Sequence, residues 1–197
     1  MTWVKVCGLS RPAEVEAAVK AGADAVGFVF YERSPRNIAP EQARGLAGGL
    51  AALTVAVTVD LDADSLLHLA EVAGVGAVQP HGENAAAAAR AAVEAGLAVL
   101  RPVPVSGPVD VSDIPGGELP LLDSDVIGGT GHVFDWTWLE GIDRPYVLAG
   151  GLGPENVADA IAHVKPWGVD ASSGLESSPG VKDLAKVAAF VSRAKGL

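Results

Sequence analysis

The chain has 197 residues, of which 49% are hydrophobic and 19% charged. That length suits one domain, 1–197, and that composition can bury a core, which excludes a disordered tail protein. The net charge of −10 leaves no global positive field for nucleic acid or an anionic membrane, so an anionic ligand has to be attracted locally.

Apolar runs and helical patterns alternate along the chain. Val4–Cys7 reads as a strand, and a helix follows with Ser10 as N-cap, Pro12 and Glu14 in its first turn and Gly22 as its stop. Val15, Ala18 and Val19 share one face of it. Ala25–Phe30 and Leu53–Val59 are the next strands, and Asp62 or Asp64 can cap a helix over Ser65–Val72 that stops at Gly74. A short strand, Ala77–Gln79, is expected to end before Pro80, because proline removes a ladder N–H. Alanine-rich Glu83–Glu94 favours helix by propensity alone. After the strand Ala98–Val103, the stretch Ser106–Gly117 holds three Gly and two Pro, which predicts a loop where a fifth helix would sit. Leu119–Asp123 and Tyr146–Ala149 are strands six and seven. Pro154–Val164 is helical, Val169–Ser172 is strand eight, and Asp183 can cap a last helix in which Leu184, Val187, Ala188 and Val191 align.

Eight nearly continuous apolar strands with seven helical segments predict a small (β/α)8 TIM barrel, with an open doubly wound sheet as the alternative. No apolar run approaches the roughly 18 residues that a membrane helix requires. Met1–Gly8 lacks the basic and apolar regions of a signal peptide. The single cysteine cannot form an internal disulfide, so a reducing, cytoplasmic setting is expected.

Barrel chemistry sits at the C-terminal ends of strands. Lys5 with Cys7, Gln79 with His81, Asp123, and Asp170 with Ser172 occupy those ends, and alternation places each pair on one face. Apolar interior layers would not choose such residues without a reason. Strands one and eight are neighbours in a closed barrel, so Lys5 and Asp170 are expected to form a supporting ion pair. Leu148-Ala149-Gly150-Gly151 and Ser172-Ser173-Gly174 end strands seven and eight, where backbone N–H groups can approach a phosphate. Gly128–Gly131 is a third flexible segment. Taken singly, Cys7 is more often a small buried hydrophobe than a catalyst, while Asp123 is as readily a cap and His81 as readily a structural hydrogen-bonding group. Four scattered His with one Cys do not make a metal site. Trp136 and Trp138 are expected to anchor helix six.

The motifs Val4-Lys5-Val6-Cys7-Gly8, Gly27–Tyr31 running into Ser34-Pro35-Arg36, Val78-Gln79-Pro80-His81-Gly82, Leu121-Leu122-Asp123-Ser124, Gly128–Gly131 with Phe134-Asp135-Trp136, Leu148–Leu152 with Pro154–Val157, Val169–Gly174 and Pro179–Asp183 appear in this order. Together they resemble the phosphoribosylanthranilate isomerase family of tryptophan biosynthesis over essentially the whole chain. The resemblance implies an Amadori rearrangement of a phosphosugar-anthranilate substrate, with no metal or organic cofactor. It implies Asp123 as the acid, Cys7 as the base and Arg36 as the partner of the anthranilate carboxylate. Gly151, Ser173 and Gly174 would hold the phosphate, with His81 and Gly129 also at the substrate. Lys5, Gln79 and Asp170 would support them. Asp60, after strand three, departs from the pattern and would be unfavourable near an anion unless it points away. A related aminoaldose isomerisation of histidine biosynthesis and a silent phosphosugar-binding barrel are the rival readings. Both a monomer and a homodimer fit the sequence.

Overall fold

The computed structural model describes residues 1–124 and 134–197. Eight parallel strands close into a barrel in sequence order: β1 (Trp3–Cys7), β2 (Ala25–Phe30), β3 (Leu53–Val59), β4 (Ala77–His81), β5 (Ala98–Pro104), β6 (Glu118–Asp123), β7 (Val147–Leu148) and β8 (Gly168–Ala171). The described α-helices are α1 (Pro12–Ala21), α2 (Pro40–Ala47), α3 (Ala63–Ala73), α4 (Ala85–Glu94), α5 (Val157–Val164) and α6 (Leu184–Lys195). A small antiparallel hairpin, β9 (Glu176–Ser178) with β10 (Val181–Lys182), is inserted between β8 and α6.

Alternation divides each strand between two cores. Outward residues such as Val4, Val6, Phe28, Val78, Leu122 and Leu148 pack under the helices together with Leu66 and Phe190. Inward residues Ala25, Val55, Ala77, Leu100, Leu121 and Val147 fill the lower barrel. Burying a side chain as completely as Leu121 contributes about 1.5–3 kcal/mol.

Three expectations change in detail. Strand four does not stop at Gln79 but runs through Pro80, paired as Thr58↔Pro80 and Val59↔His81. The carbonyl of His81 accepts from Asp60 N–H at 3.0 Å, so His81 faces β3 and alternation turns the nitrogen of Pro80 toward β5. On that side the ladder has ended at Val78↔Val99, so no ladder bond is lost. The cap of α1 is Arg11 rather than Ser10, because Pro12 opens the helix; Glu14 Oε2 accepts from the N–H groups of both Ser10 (2.9 Å) and Arg11 (3.2 Å). In the place of helix six the described residues form a 3-10 turn, Trp136–Leu139, capped by Asp135. Trp136 and Trp138 do pack there against the core.

The fifth helix is absent, as its glycines and prolines predict. Buried Val105 and Val111 cover the barrel instead. Arg144 donates to the carbonyls of Val111 (3.2 Å) and Ile114 (2.6 Å) in this stretch and of Glu118 (2.9 Å) at the start of β6, satisfying backbone groups that no helix pairs there. Asp62 caps α3 and Asp183 caps α6 through their side chains.

Candidate active site

The upper ends of the strands surround a pocket of about 230 Å³ whose lining includes Cys7, Arg36, Gln79, His81, Asp123 and Asp170. Gln79 and Asp123 arrive by the alternation argument, two residues above Ala77 and Leu121 of the apolar interior layer; Cys7, His81 and Asp170 share that inward parity at their strand ends, and Arg36 comes from the β2–α2 loop. A smaller concavity of about 30 Å³ adjoins it, sharing Asp123, Asp170 and Ser172, and is walled by Gly150, Gly151, Ser173 and Gly174. Every proposed site residue thus gathers at one mouth of the barrel, with two exceptions. Lys5 lies beneath the pocket, fully buried. Gly129 lies outside the described residues.

Cys7 Sγ faces Gly27 of β2. A Cβ on Gly27 would lie 2.9 Å from that sulfur and 3.2 Å from Lys5 Cε, so only glycine leaves room for both side chains. Lys5 Nζ donates to Asp170 Oδ2 at 2.8 Å, the ion pair expected between neighbouring strands. Burial works against the Lys5 charge, but Asp170 and then Cys7 outweigh it, and the ammonium is held above its ordinary value. The thiol of Cys7 is pushed up, chiefly by burial; Lys5 and Lys182 oppose this while Asp170 adds to it. The cation beside Cys7 therefore tempers the cost of burial without overcoming it.

Gln79 Nε2 and His81 Nε2 lie 3.0 Å apart, so His81 both lines the pocket and is fixed by a neighbour on its own strand. Asp123 is 8% exposed, and the Ser124 hydroxyl stands 3.5 Å from its Oδ1. Asp60 adopts a left-handed φ of 56° and accepts from Glu83 N–H at 2.8 Å, which turns its carboxylate toward the β4–α4 connection.

Arg36 enters over Gly8. That glycine has φ +74°, and a Cβ there would lie 2.5 Å from Arg36 Cδ. Its guanidinium is gripped by a residue that sequence reasoning missed: Nε donates to Glu176 Oε1 at 2.6 Å and Nη2 to Oε2 at 2.9 Å. Lys182 Nζ donates to the same Oε1 at 2.8 Å. Burial pushes Glu176 up, but hydrogen bonds from Arg36 and Lys182 hold it below the usual carboxylate value. Lys182 is pushed down by burial despite that carboxylate. The Pro179–Asp183 motif contains Lys182, yet nothing local signals that it and Glu176 meet a side chain from the β2–α2 loop. Among the described residues no cluster of His, Cys, Asp and Glu could hold a metal ion.

The arrangement offers a thiol and a carboxyl group on β1 and β6, three strands apart around the barrel, an arginine at the rim, and a glycine-lined recess. Comparison with known proteins agrees. The family model for N-(5'phosphoribosyl)anthranilate (PRA) isomerase matches residues 4–193. An N-(5'-phosphoribosyl)anthranilate isomerase from Pseudomonas fluorescens is 41% identical over 95% of both chains. The crystal structure of the phosphoribosyl anthranilate isomerase from Thermus thermophilus superposes with a TM-score of 0.90 at 34% identity, covering 99% of each chain. A phosphoribosyl anthranilate isomerase in complex with reduced 1-(o-carboxyphenylamino)-1-deoxyribulose 5-phosphate superposes at 0.88 with 38% identity over the full length of both. With the barrel, the pocket and this likeness along nearly its whole length, the chain belongs to the N-(5'-phosphoribosyl)anthranilate isomerase family.

Proposed function

We propose that Cys7 and Asp123 are the base and the acid of the family's reaction. N-(5-phosphoribosyl)anthranilate becomes 1-(2-carboxyphenylamino)-1-deoxyribulose 5-phosphate, an aldose–ketose isomerisation by Amadori rearrangement in tryptophan biosynthesis. The observation that carries the assignment is convergence: Cys7, Asp123 and Arg36 line one pocket, and the recess of Gly151, Ser173 and Gly174 adjoins it with Asp123 and Asp170 in the wall of both.

The protonated carboxyl group of Asp123 gives its proton to the furanose ring oxygen, and the C1–O bond breaks to leave an iminium at C1. The thiolate of Cys7 then takes the proton from C2, the electron pair forms the enolamine, and tautomerisation yields the ketone. Asp123 has lost one proton and Cys7 has gained one, so exchange with water restores both. The acid and base approach from different sides of the sugar because they come from separated strands. Burial favours the neutral thiol in the free protein. The positive iminium beside C2 favours the thiolate at the step that uses it.

Arg36 binds the anthranilate carboxylate, and the main-chain N–H groups of Gly151, Ser173 and Gly174 bind the phosphate. An acidic chain thereby holds a ligand with two anionic groups, a carboxylate and a phosphate, with local donors. His81, steadied by Gln79, borders the aromatic end. Lys5 supports Cys7 from below, held there by its ion pair with Asp170 of the pocket wall. The reducing setting that suits an unpaired, working thiol is the cytoplasm. The test is turnover of N-(5-phosphoribosyl)anthranilate, followed by loss of substrate fluorescence, with Cys7→Ala as control. Turnover by the wild type and its collapse in the variant are expected; equal activity in both would overturn the role of Cys7.

A further inference from the structure

We propose that Glu176 is the positioning residue of the carboxylate subsite, holding Arg36 by one edge so that the other edge of its guanidinium stands ready for the aromatic carboxylate. This rests on the assignment of Arg36 above. The edge formed by Nε and Nη2 is engaged by both oxygens of Glu176 at 2.6 and 2.9 Å. Nη1 keeps both its hydrogens, and with the remaining hydrogen of Nη2 it forms a second two-pronged edge that suits a carboxylate.

The carboxylate of Glu176 is itself locked. Oε1 also accepts from Lys182 Nζ at 2.8 Å, and Oε2 from Gly180 N–H at 3.2 Å. Lys186 Nζ reaches the backbone carbonyl of Glu176 at 3.0 Å. The hairpin that carries Glu176 abuts the loop that carries Arg36. Gly180, at φ +78°, leaves no room for a side chain, since a Cβ would lie 2.3 Å from the carbonyl oxygen of Pro35. The side chains of Arg36 and Glu176 are only 12% and 5% exposed, which limits solvent screening of the pair. Two cations share one anion in this cluster, leaving one positive charge for one incoming carboxylate. Fixing the guanidinium before the ligand arrives removes an ordering cost that binding would otherwise bear.

The experiment compares wild type, Glu176→Gln and Glu176→Asp by steady-state kinetics and by equilibrium binding of two ligands. One is reduced 1-(o-carboxyphenylamino)-1-deoxyribulose 5-phosphate, and the other is the same molecule without the ring carboxyl group. Glu176→Gln is expected to raise KM and weaken the carboxylated ligand about ten-fold, with kcat changed by less than about two-fold. The carboxyl-free ligand should bind the wild type and the variant alike, and Glu176→Asp should recover part of the loss. In an Arg36→Ala background Glu176→Gln should add nothing further. Equal weakening of both ligands, or of neither, overturns the proposal. If Glu176→Gln fails to melt cooperatively, Glu176→Asp decides, read on the same ratio between the two ligands. Wild-type protein that neither turns over the substrate nor binds either ligand defeats the underlying functional assignment instead.

Discussion

The lower and upper halves of the barrel interior are made by the same strands, yet they obey different rules. Below, Ala25, Val55, Ala77, Leu100, Leu121 and Val147 form an apolar plug. Two residues further along, roughly 6.6 Å up each strand, Ala77 gives way to Gln79, Leu121 to Asp123 and Gly168 to Asp170. The lower layer supplies burial, and the upper layer depends on it, since polar side chains packed that tightly tolerate burial only when partnered. A strand can therefore serve stability and chemistry at once, divided by a single step of its side-chain period. The ion pair of Lys5 with Asp170 marks the seam.

Replacements in the two layers should fail in different ways. The largest loss is expected at the top. Cys7→Ala and Asp123→Asn should each lower kcat by about 10²–10⁴ with thermal melting close to wild type, because each removes a proton-transfer group. Near-normal turnover in either would erase the distinction between the layers. At the seam, Asp170→Asn leaves the fully buried Lys5 uncompensated and should cost about 3–5 kcal/mol in urea unfolding. A wild-type unfolding midpoint would show that Lys5 does not need its partner. In the lower layer, Leu121→Ala should lose about 2–5 kcal/mol of stability while the folded fraction keeps its KM. A raised KM there would mean that the two layers are coupled. At the rim, Arg36→Ala should raise KM by the equivalent of about 1.5–3 kcal/mol, with the smaller part of the change in kcat.

The finest test is a titration. Cys7 is the single cysteine, so ultraviolet thiolate absorbance taken as the difference from Cys7→Ala, which cancels the two tyrosines, reports it alone. Its midpoint should lie above the ordinary thiol value because burial outweighs the cations beside it. Since the folded value is raised, the stability that the buried thiol contributes is present below the unfolded value and is lost as pH rises through the folded one. Lys5→Met removes an ammonium that lowers this value, so the midpoint should move higher still. A midpoint at or below that of a free thiol would mean that the upper layer is more polar than its packing implies.

Much of this was legible in one dimension. The limits of β2 and β3 coincide with their apolar runs, and the missing fifth helix follows from the glycines and prolines of 106–117. The placing of Cys7 and Asp123 at strand ends was legible because strand parity and strand ends are local features, whereas their proposed roles came with the family resemblance. Pro80 misled, because its cost depends on which neighbour its nitrogen faces, and that is a property of the closed sheet. Glu176 was invisible for a related reason. An isolated acidic residue after a glycine turn reads as solvated surface until an arginine 140 positions away docks on it.

Periodicity, turn chemistry and the placing of polar residues at strand ends were thus determined by the sequence itself, since each depends on neighbours within a few positions. Which charges share a buried site, which of them cancel and which edge of Arg36 is left for a ligand were decided only by closure of the barrel. Electrostatic energy in a low-dielectric interior depends on distances of a few ångströms between residues the chain holds far apart, and no local pattern encodes those distances.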